Sequence, residues 1–329
     1  MSGWKIIRCD KKTSVLKKFT FGCMKDLYAL NITSGCIHDC VYCYAKSYSN
    51  RPPSSSIYLY KNIGAMLEKE LDSLRRKLKP VYVIFNTASD SFQPADEVLD
   101  IAYRAMRILI ERDIPFSFLT KGIIPCDFVE LFRLKPHLVH ARIGITSLSE
   151  YYHDVFEPNT AKPHERLQNI DMLRDAGVDV EVRVDPIVPS ITDNYSEIKR
   201  LISSLKEHGV SEISISYLHI RPYILSEMGK RLGKKEFGRI VSYFLNEPWQ
   251  EVCTSRKTKL VPYGIRKRTY TFINWICSLS GIKAHVCVCK NPDFDGEPCS
   301  GVQRKSLMLR VQKQLSLPEF FNTNLFAKH

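Results

Sequence analysis

Gly35-Cys36-Ile37-His38-Asp39-Cys40-Val41-Tyr42-Cys43-Tyr44 places three thiols four and then three residues apart, just after the extended apolar run Tyr28-Ala29-Leu30-Asn31-Ile32. Three thiolates so close, with no fourth Cys at matching spacing, suit a metal centre that keeps one coordination position open for chemistry. The same spacing also fits a structural zinc half-site, or cysteines packed along one helical face. His38 and Asp39 within the run, and entry through Ser34-Gly35, point to a loop rather than a helix.

Outward from this loop the chain alternates strand and helix. A first strand is predicted near 27–32. Ile63, Met66, Leu67, Glu70, Leu71, Leu74 and Leu78 follow a helical period that ends at Lys79-Pro80. Val81-Tyr82-Val83-Ile84-Phe85 is a continuous apolar run of the kind found in parallel sheets buried on both faces. A helix over 95–112, a strand over 115–120, a short helix around 126–133 and a strand over 138–146 come next. Pro163 and Gly177 bracket a helix over 163–176, followed by a strand over 179–185, a helix over 194–208 closed by Gly209, and a strand over 212–218. Six strands alternating with helices imply parallel βα units joined by right-handed crossovers. They can form an open doubly wound sheet or a partial barrel, and in both the site belongs at the carboxyl ends of the strands. The rhythm stops after Arg221-Pro222, which divides the chain into an N-terminal extension (1–26), a βα body (27–221) and a C-terminal region (222–329) that is helical over 235–250 and then rich in cysteine.

The chain has 329 residues, enough for one substantial core with an appendage, and no apolar run approaches the ~20 residues of a membrane span. Eleven cysteines at CxxxCxxC and CxC spacings argue for reduced, metal-binding thiols rather than a secreted disulfide framework. With no signal-peptide apolar region at the start, the expected location is cytoplasmic. The net charge of +13 favours a polyanionic partner, nucleic acid being the commonest, although a solvated Lys/Arg surface has the same composition.

The Cys36-x3-Cys40-x2-Cys43 loop, with an aromatic before its last Cys, resembles the cluster loop of the radical S-adenosylmethionine (SAM) enzymes. The string Leu30-Asn31-Ile32-Thr33-Ser34-Gly35-Cys36 through Tyr44-Ala45-Lys46 is similar to the spore photoproduct lyase-like branch, and the resemblance covers about 27 to 220. It implies a (β/α)6 partial TIM barrel. It also implies a 4Fe–4S cluster on Cys36, Cys40 and Cys43, SAM chelated at the fourth iron, and reductive cleavage to a 5′-deoxyadenosyl radical that abstracts hydrogen from a substrate. A reductant such as a ferredoxin or flavodoxin is the implied partner.

Further site residues follow from the strand ends. Asn86-Thr87-Ala88-Ser89-Asp90-Ser91-Phe92-Gln93-Pro94-Ala95-Asp96 resembles the branch's Thr-Asp-x-Tyr-Gln-Pro-x-Glu string, with Ser89 for Thr, Phe92 for Tyr and Asp96 for Glu. Without the family it reads as a polar loop with a helix cap. The resemblance makes Ser89, Asp90, Lys121, Thr146, Ser147, Arg183 and Asp185 candidate SAM contacts and places Tyr42 near the adenine. Arg183 and Asp185 share one side by strand alternation, which a structural ion pair would also require. Cys126 matches no motif for a hydrogen donor. Cys277, Cys287, Cys289 and Cys299 form a second group, among turn-forming Gly and Pro, that suits an auxiliary iron–sulfur cluster, a structural zinc or unligated core thiols.

The reading that joins these residues is a radical SAM enzyme acting on a nucleic acid, in base repair or modification. Two alternatives stand beside it: a radical SAM maturase of a peptide or protein, and an iron–sulfur nucleic-acid-binding protein without catalysis.

Overall fold

The computed structural model describes residues 3–20, 22–73, 80–253 and 255–295. Strands β1 (Lys5–Cys9), β2 (Leu16–Lys18), β3 (Tyr28–Leu30), β4 (Thr33–Ser34) and β5 (Ser56–Tyr60) precede α1 (Ile63–Leu71). Then β6 (Val83–Phe85), α2 (Asp96–Glu111), β7 (Phe116–Thr120), α3 (Cys126–Arg133), β8 (Val139–Gly144), α4 (Glu150–Phe156), α5 (Pro163–Asp175), β9 (Asp179–Ile187), α6 (Tyr195–Glu207) and β10 (Glu212–Tyr217) alternate. The chain continues through α7 (Pro222–Arg231), α8 (Lys234–Ser242), the hairpin β11 (Gln250–Val252) and β12 (Ser255–Thr258), α9 (Tyr263–Leu279) and β13 (Lys283–Val286).

The central strands are apolar on both faces because helices cover one face and the packed interior the other. Every residue of β6 and β8 is buried. The helices present one stripe to them: Val98, Ala102, Ala105, Met106 and Leu109 of α2 recur at helical spacing and are all buried. Gly177 (φ 78°) ends α5 and Gly209 (φ 66°) ends α6, in the left-handed conformation that favours glycine after a helix.

The main sheet has eight strands in the order β13-β10-β9-β8-β7-β6-β3-β2. From β3 to β13 neighbouring strands are parallel, and β2 pairs antiparallel with β3. The result is an α/β partial barrel whose outermost strands are β2 and β13. The six expected parallel strands are all present, with β9 running two residues beyond the expected 185. A seventh, β13, comes from the cysteine-rich region and pairs with β10, so the sheet continues past the break expected near 222. Lys283-Ala284-His285-Val286 carries too little apolar pattern to announce a strand. The helix expected over 235–250 stops at Ser242, and the chain turns back through the β11–β12 hairpin. The N-terminal extension adds β2 to the sheet edge and lays β1 along β5. Cys299 and the basic residues beyond it lie outside the described residues, within which no helix is long and apolar enough to cross a membrane.

Candidate active site

The cysteine loop leaves β4 at Ser34 through Gly35 (φ 82°), where a side chain would collide with Pro52, and folds as successive turns. The Asp39 amide donates to Cys36 O (3.3 Å) and the Cys43 amide to Cys40 O (3.2 Å). Three contacts from elsewhere in the barrel fix its position. The Ile37 amide donates to Gln93 Oε1 (2.8 Å), the Val41 amide to Phe156 O (3.0 Å), and Asn159 Nδ2 to Ile37 O (3.0 Å). Arg231 of α7 donates to Asp39 O (2.9 Å) and pairs with its carboxylate (3.2 Å). Burial raises all three thiol pKa values. Asp90 and the other two thiols add to the effect at Cys36; Cys40 is pushed up to about 12, Glu157 adding to burial and Lys121 opposing it. A cationic iron centre removes that penalty by stabilising thiolate, so the donor set fits an iron–sulfur cluster.

Asp90 joins this loop to the strand ends. Its Oδ1 accepts from the Phe92 amide and Thr120 Oγ1, both at 2.8 Å, while Oδ2 accepts from the Lys121 amide (2.8 Å) and faces His38 Nδ1 at 3.3 Å. Burial alone would raise the Asp90 pKa, but His38 and the two amides outweigh it and lower it. Asp90 is therefore a brace between loops. Ser89 Oγ contacts Thr33 Oγ1 (2.7 Å), and Ser147 Oγ accepts from the Ser149 amide (3.1 Å) in the turn before α4; Thr146 is buried beside Tyr152.

Lys121 and Tyr42 meet at a residue that the sequence did not flag. Glu157, just after α4, is 1% exposed and holds Lys121 Nζ at 2.8 Å and Arg166 Nη2 at 2.6 Å. Tyr42 OH donates to the same carboxylate, and Lys121 Nζ lies 5.6 Å from the Tyr42 ring centroid. Burial opposes ionisation of Glu157, yet Arg166 and then Lys121 hold its pKa far below the usual carboxylate range. Lys121 is thus one arm of a buried ion-pair network under the cysteine loop.

Across the mouth, Arg183 and Asp185 do share one side of β9 and pair at 2.6 Å. Lys290, four residues after β13, adds a second cation to Asp185 at 2.5 Å. Beside them, burial lowers the His219 pKa to about 3, with Lys290 next in effect and Asp185 opposing, so its imidazole is neutral at pH 7. His219 Nε2 and His38 Nε2 are buried atoms without a hydrogen-bond partner among the described residues. Glu157 and Lys290 escaped the sequence reading because each acts through a partner far away in the chain, Lys121 and Asp185 respectively.

Among the described residues, Cys277 stands apart from Cys287 and Cys289. Cys277 is fully buried in α9 before β13, and burial raises its pKa to about 12. Cys287 and Cys289 follow β13, at its other end. That four-residue strand alone separates them from Cys277 by roughly 13 Å at ~3.3 Å per residue. Cys126 is exposed at the start of α3.

A sequence model of the Radical SAM superfamily matches residues 30–205, from β3 through α6. The chain belongs to the radical SAM superfamily. An uncharacterized protein of Mycobacterium tuberculosis, Rv2578c, is 28% identical over 206 residues, 59% of each chain. The chain thus spans about three fifths of that relative's length. The uncharacterized protein ORF301 of Acidianus two-tailed virus is 22% identical over 262 residues, 69% of this chain and 83% of its own. The radical SAM Nα-GlyT isomerase of Pseudomonas phage M6 is 20% identical over 235 residues, 70% of this chain and 47% of its own. Among solved structures, spore photoproduct lyase complexed with dinucleoside spore photoproduct superimposes with a TM-score of 0.63 at 16% identity, covering 85% of this chain and 81% of that one. The fold is that of the spore photoproduct lyase-like branch.

Proposed function

We propose that this radical SAM chain is an active enzyme whose substrate is a nucleic acid. One observation carries the reading. The loop of Cys36, Cys40 and Cys43 stands at the carboxyl ends of the parallel strands, facing Arg183, Asp185, His219 and Lys290 across the mouth. The three thiolates would hold a 4Fe–4S cluster, and SAM would occupy the mouth between them and the ends of β9 and β10. Together the bound pair supplies reductive cleavage of SAM and hydrogen abstraction. The chain's own residues bind and orient. Arg183 and Lys290 set two cationic side chains against the Asp185 carboxylate at the ends of β9 and β13, where an acidic ligand group would meet them. Neutral His219 offers a hydrogen bond without adding charge.

The rim supports a nucleic acid. The 3-10 turn Tyr44–Ser47, directly after Cys43, packs against α7. Arg221 lies 5.8 Å from the Tyr44 ring centroid, Arg51 lies 4.6 Å from that of Tyr223, and Tyr44 and Tyr48 are exposed. Arginines interleaved with exposed aromatic rings suit phosphates and unstacked bases. The bound dinucleoside in the lyase of the same fold agrees with that choice. The test is anaerobic reconstitution of the full chain with iron and sulfide, followed by incubation with SAM and a low-potential reductant such as dithionite. Formation of 5′-deoxyadenosine is expected in the parent and not in Cys40→Ala. Binding of tRNA or DNA should weaken linearly in log–log terms with salt, as counterion release requires. Turnover of SAM by Cys40→Ala at the parent rate defeats the cluster assignment. Binding that ignores salt defeats the nucleic-acid substrate and favours a peptide.

A further inference from the structure

A helix that covers a sheet is expected to turn polar side chains to solvent. On α9 the buried face is in order, with Thr269, Tyr270, Ile273, Ile276 and Cys277 against the barrel. The outward face is not, since Trp275 is 56% exposed there. Tyr195, the first residue of α6, is 49% exposed and stacks on Phe272, with ring centroids 4.2 Å and planes 14° apart. Phe272 in turn lies 6.0 Å from Trp275. These three rings line a groove of about 450 Å3 between the two helices, with Lys267, Arg268 and Thr271 also in its wall. No carboxylate lines it, and α9 carries no Asp or Glu from Tyr263 to Leu279. Tyr217 fixes the height of the groove. From the carboxyl end of β10 its hydroxyl reaches Asp193 just before α6 (3.1 Å) and Thr269 Oγ1 of α9 (2.8 Å). Lys267, Arg268 and Phe272 lie within one turn of Thr269, so the groove runs down the outer wall from the level of the strand ends.

An exposed apolar patch rimmed by charge marks an interaction site. The chemistry of this one selects its occupant. Aromatic rings on an open surface offer flat π faces to unpaired bases whatever their sequence, and cations without a neighbouring carboxylate match phosphates. A membrane surface would call for a projecting apolar face rather than a groove between helices. We propose that the α6–α9 groove holds a run of unpaired nucleotides of the substrate, with a base stacked on Trp275 and phosphates on Lys267 and Arg268. This rests on the reading of the substrate as a nucleic acid and deepens it: the strand, DNA or RNA, is single where it leaves the mouth. The groove positions that strand and takes no part in the chemistry.

The test is fluorescence anisotropy of the full chain with labelled single-stranded DNA and RNA oligonucleotides and with a duplex of the same sequence. Trp275→Ala should weaken single-strand binding roughly tenfold, the usual effect of losing one base–aromatic stack, and should change duplex binding less. Lys267→Gln should lower the slope of log K against log salt by about 0.7, one single-strand phosphate contact. Leu134→Ala, an exposed residue just after α3, should match the parent. Formation of 5′-deoxyadenosine without nucleic acid should be the same in all of them. A parent that binds no oligonucleotide overturns the nucleic-acid reading and the groove with it. Salt-dependent binding by the parent that Trp275→Ala and Lys267→Gln reproduce rejects the groove alone. Phosphatidylserine vesicles that bind the parent, release Trp275→Ala and are not displaced by oligonucleotide give the groove to a membrane and overturn the proposal. Should Trp275→Ala fail to fold, the Trp4→Phe/Trp249→Phe chain decides, because it keeps Trp275 as its one tryptophan. Its emission should be quenched by saturating single strand, and unchanged emission rejects the site.

Discussion

Two places in the barrel mouth set two cations on one carboxylate. Under the cysteine loop, Glu157 holds Lys121 and Arg166; across from it, Asp185 holds Arg183 and Lys290. The charge arithmetic is the same and the surroundings are not. Glu157 and Arg166 are 1% and 2% exposed in their side chains, and Tyr42 takes up further capacity of the carboxylate. Lys290 is 25% exposed and stands beside an imidazole nitrogen that has no partner among the described residues. A closed network is committed to holding the loop in place. An open one keeps capacity for a ligand.

The sharpest way to break this contrast is Glu157→Ala, which strands two cations next to the loop. A loss of about 3–5 kcal/mol is expected in denaturant unfolding, the typical result of removing one partner from a buried pair. A loss below ~1 kcal/mol removes the distinction. Next comes Arg183→Ala, which should weaken SAM binding roughly tenfold or more in anaerobic calorimetry, as loss of a charge-assisted hydrogen bond of ~1.5–3 kcal/mol implies. Its stability should fall less than that of Lys121→Ala, whose effect belongs mainly to folding. The opposite ranking would exchange the roles of the two groups.

His219 sharpens the comparison through pH. Its folded pKa is about 3 against 6.5 for the free side chain, so the unfolded chain binds the proton first as pH falls. The stabilisation it contributes is complete above about 6.5 and is lost on acidification towards 3, with a slope of at most ~1.4 kcal/mol per pH unit. Unfolding curves of His219→Gln should lack this part of the acid dependence; superimposable parent and variant profiles would show that its burial is relieved by solvent. The smallest effect is expected outside the mouth. Arg8 and Glu97 pair on the surface with both side chains well exposed, and Glu97→Ala should leave the unfolding midpoint unchanged.

The sequence was informative wherever a pattern is local. The apolar runs of β6 to β10, the helical stripe of α2, and the glycines after α5 and α6 each lie within one window of chain, and each element formed as expected. The three-thiol loop was legible for the same reason. Glu157 was not, since its partners Tyr42, Lys121 and Arg166 come from three other segments, and nothing near position 157 marks a buried carboxylate. Proximity in sequence also misled. Cys277 and Cys287 look like members of one group, yet β13 runs between them and carries them to opposite ends of the sheet. Gly22, read only as part of a basic N-terminal extension, lies against Cys253 and Cys289.

Ile37, Val41 and Asp39 are each tied to a different element: Gln93 before α2, Phe156 at the end of α4, and Arg231 of α7. These ties involve protein groups alone, so the three thiols have a high effective concentration for one another before any metal arrives. Loading of this loop should therefore be kinetically unlike that of a zinc finger, where the ion must also drive the chain to fold. Most of the search through loop conformations has already been made when the barrel folds, so iron bound there as proposed would meet a receptor rather than a tether.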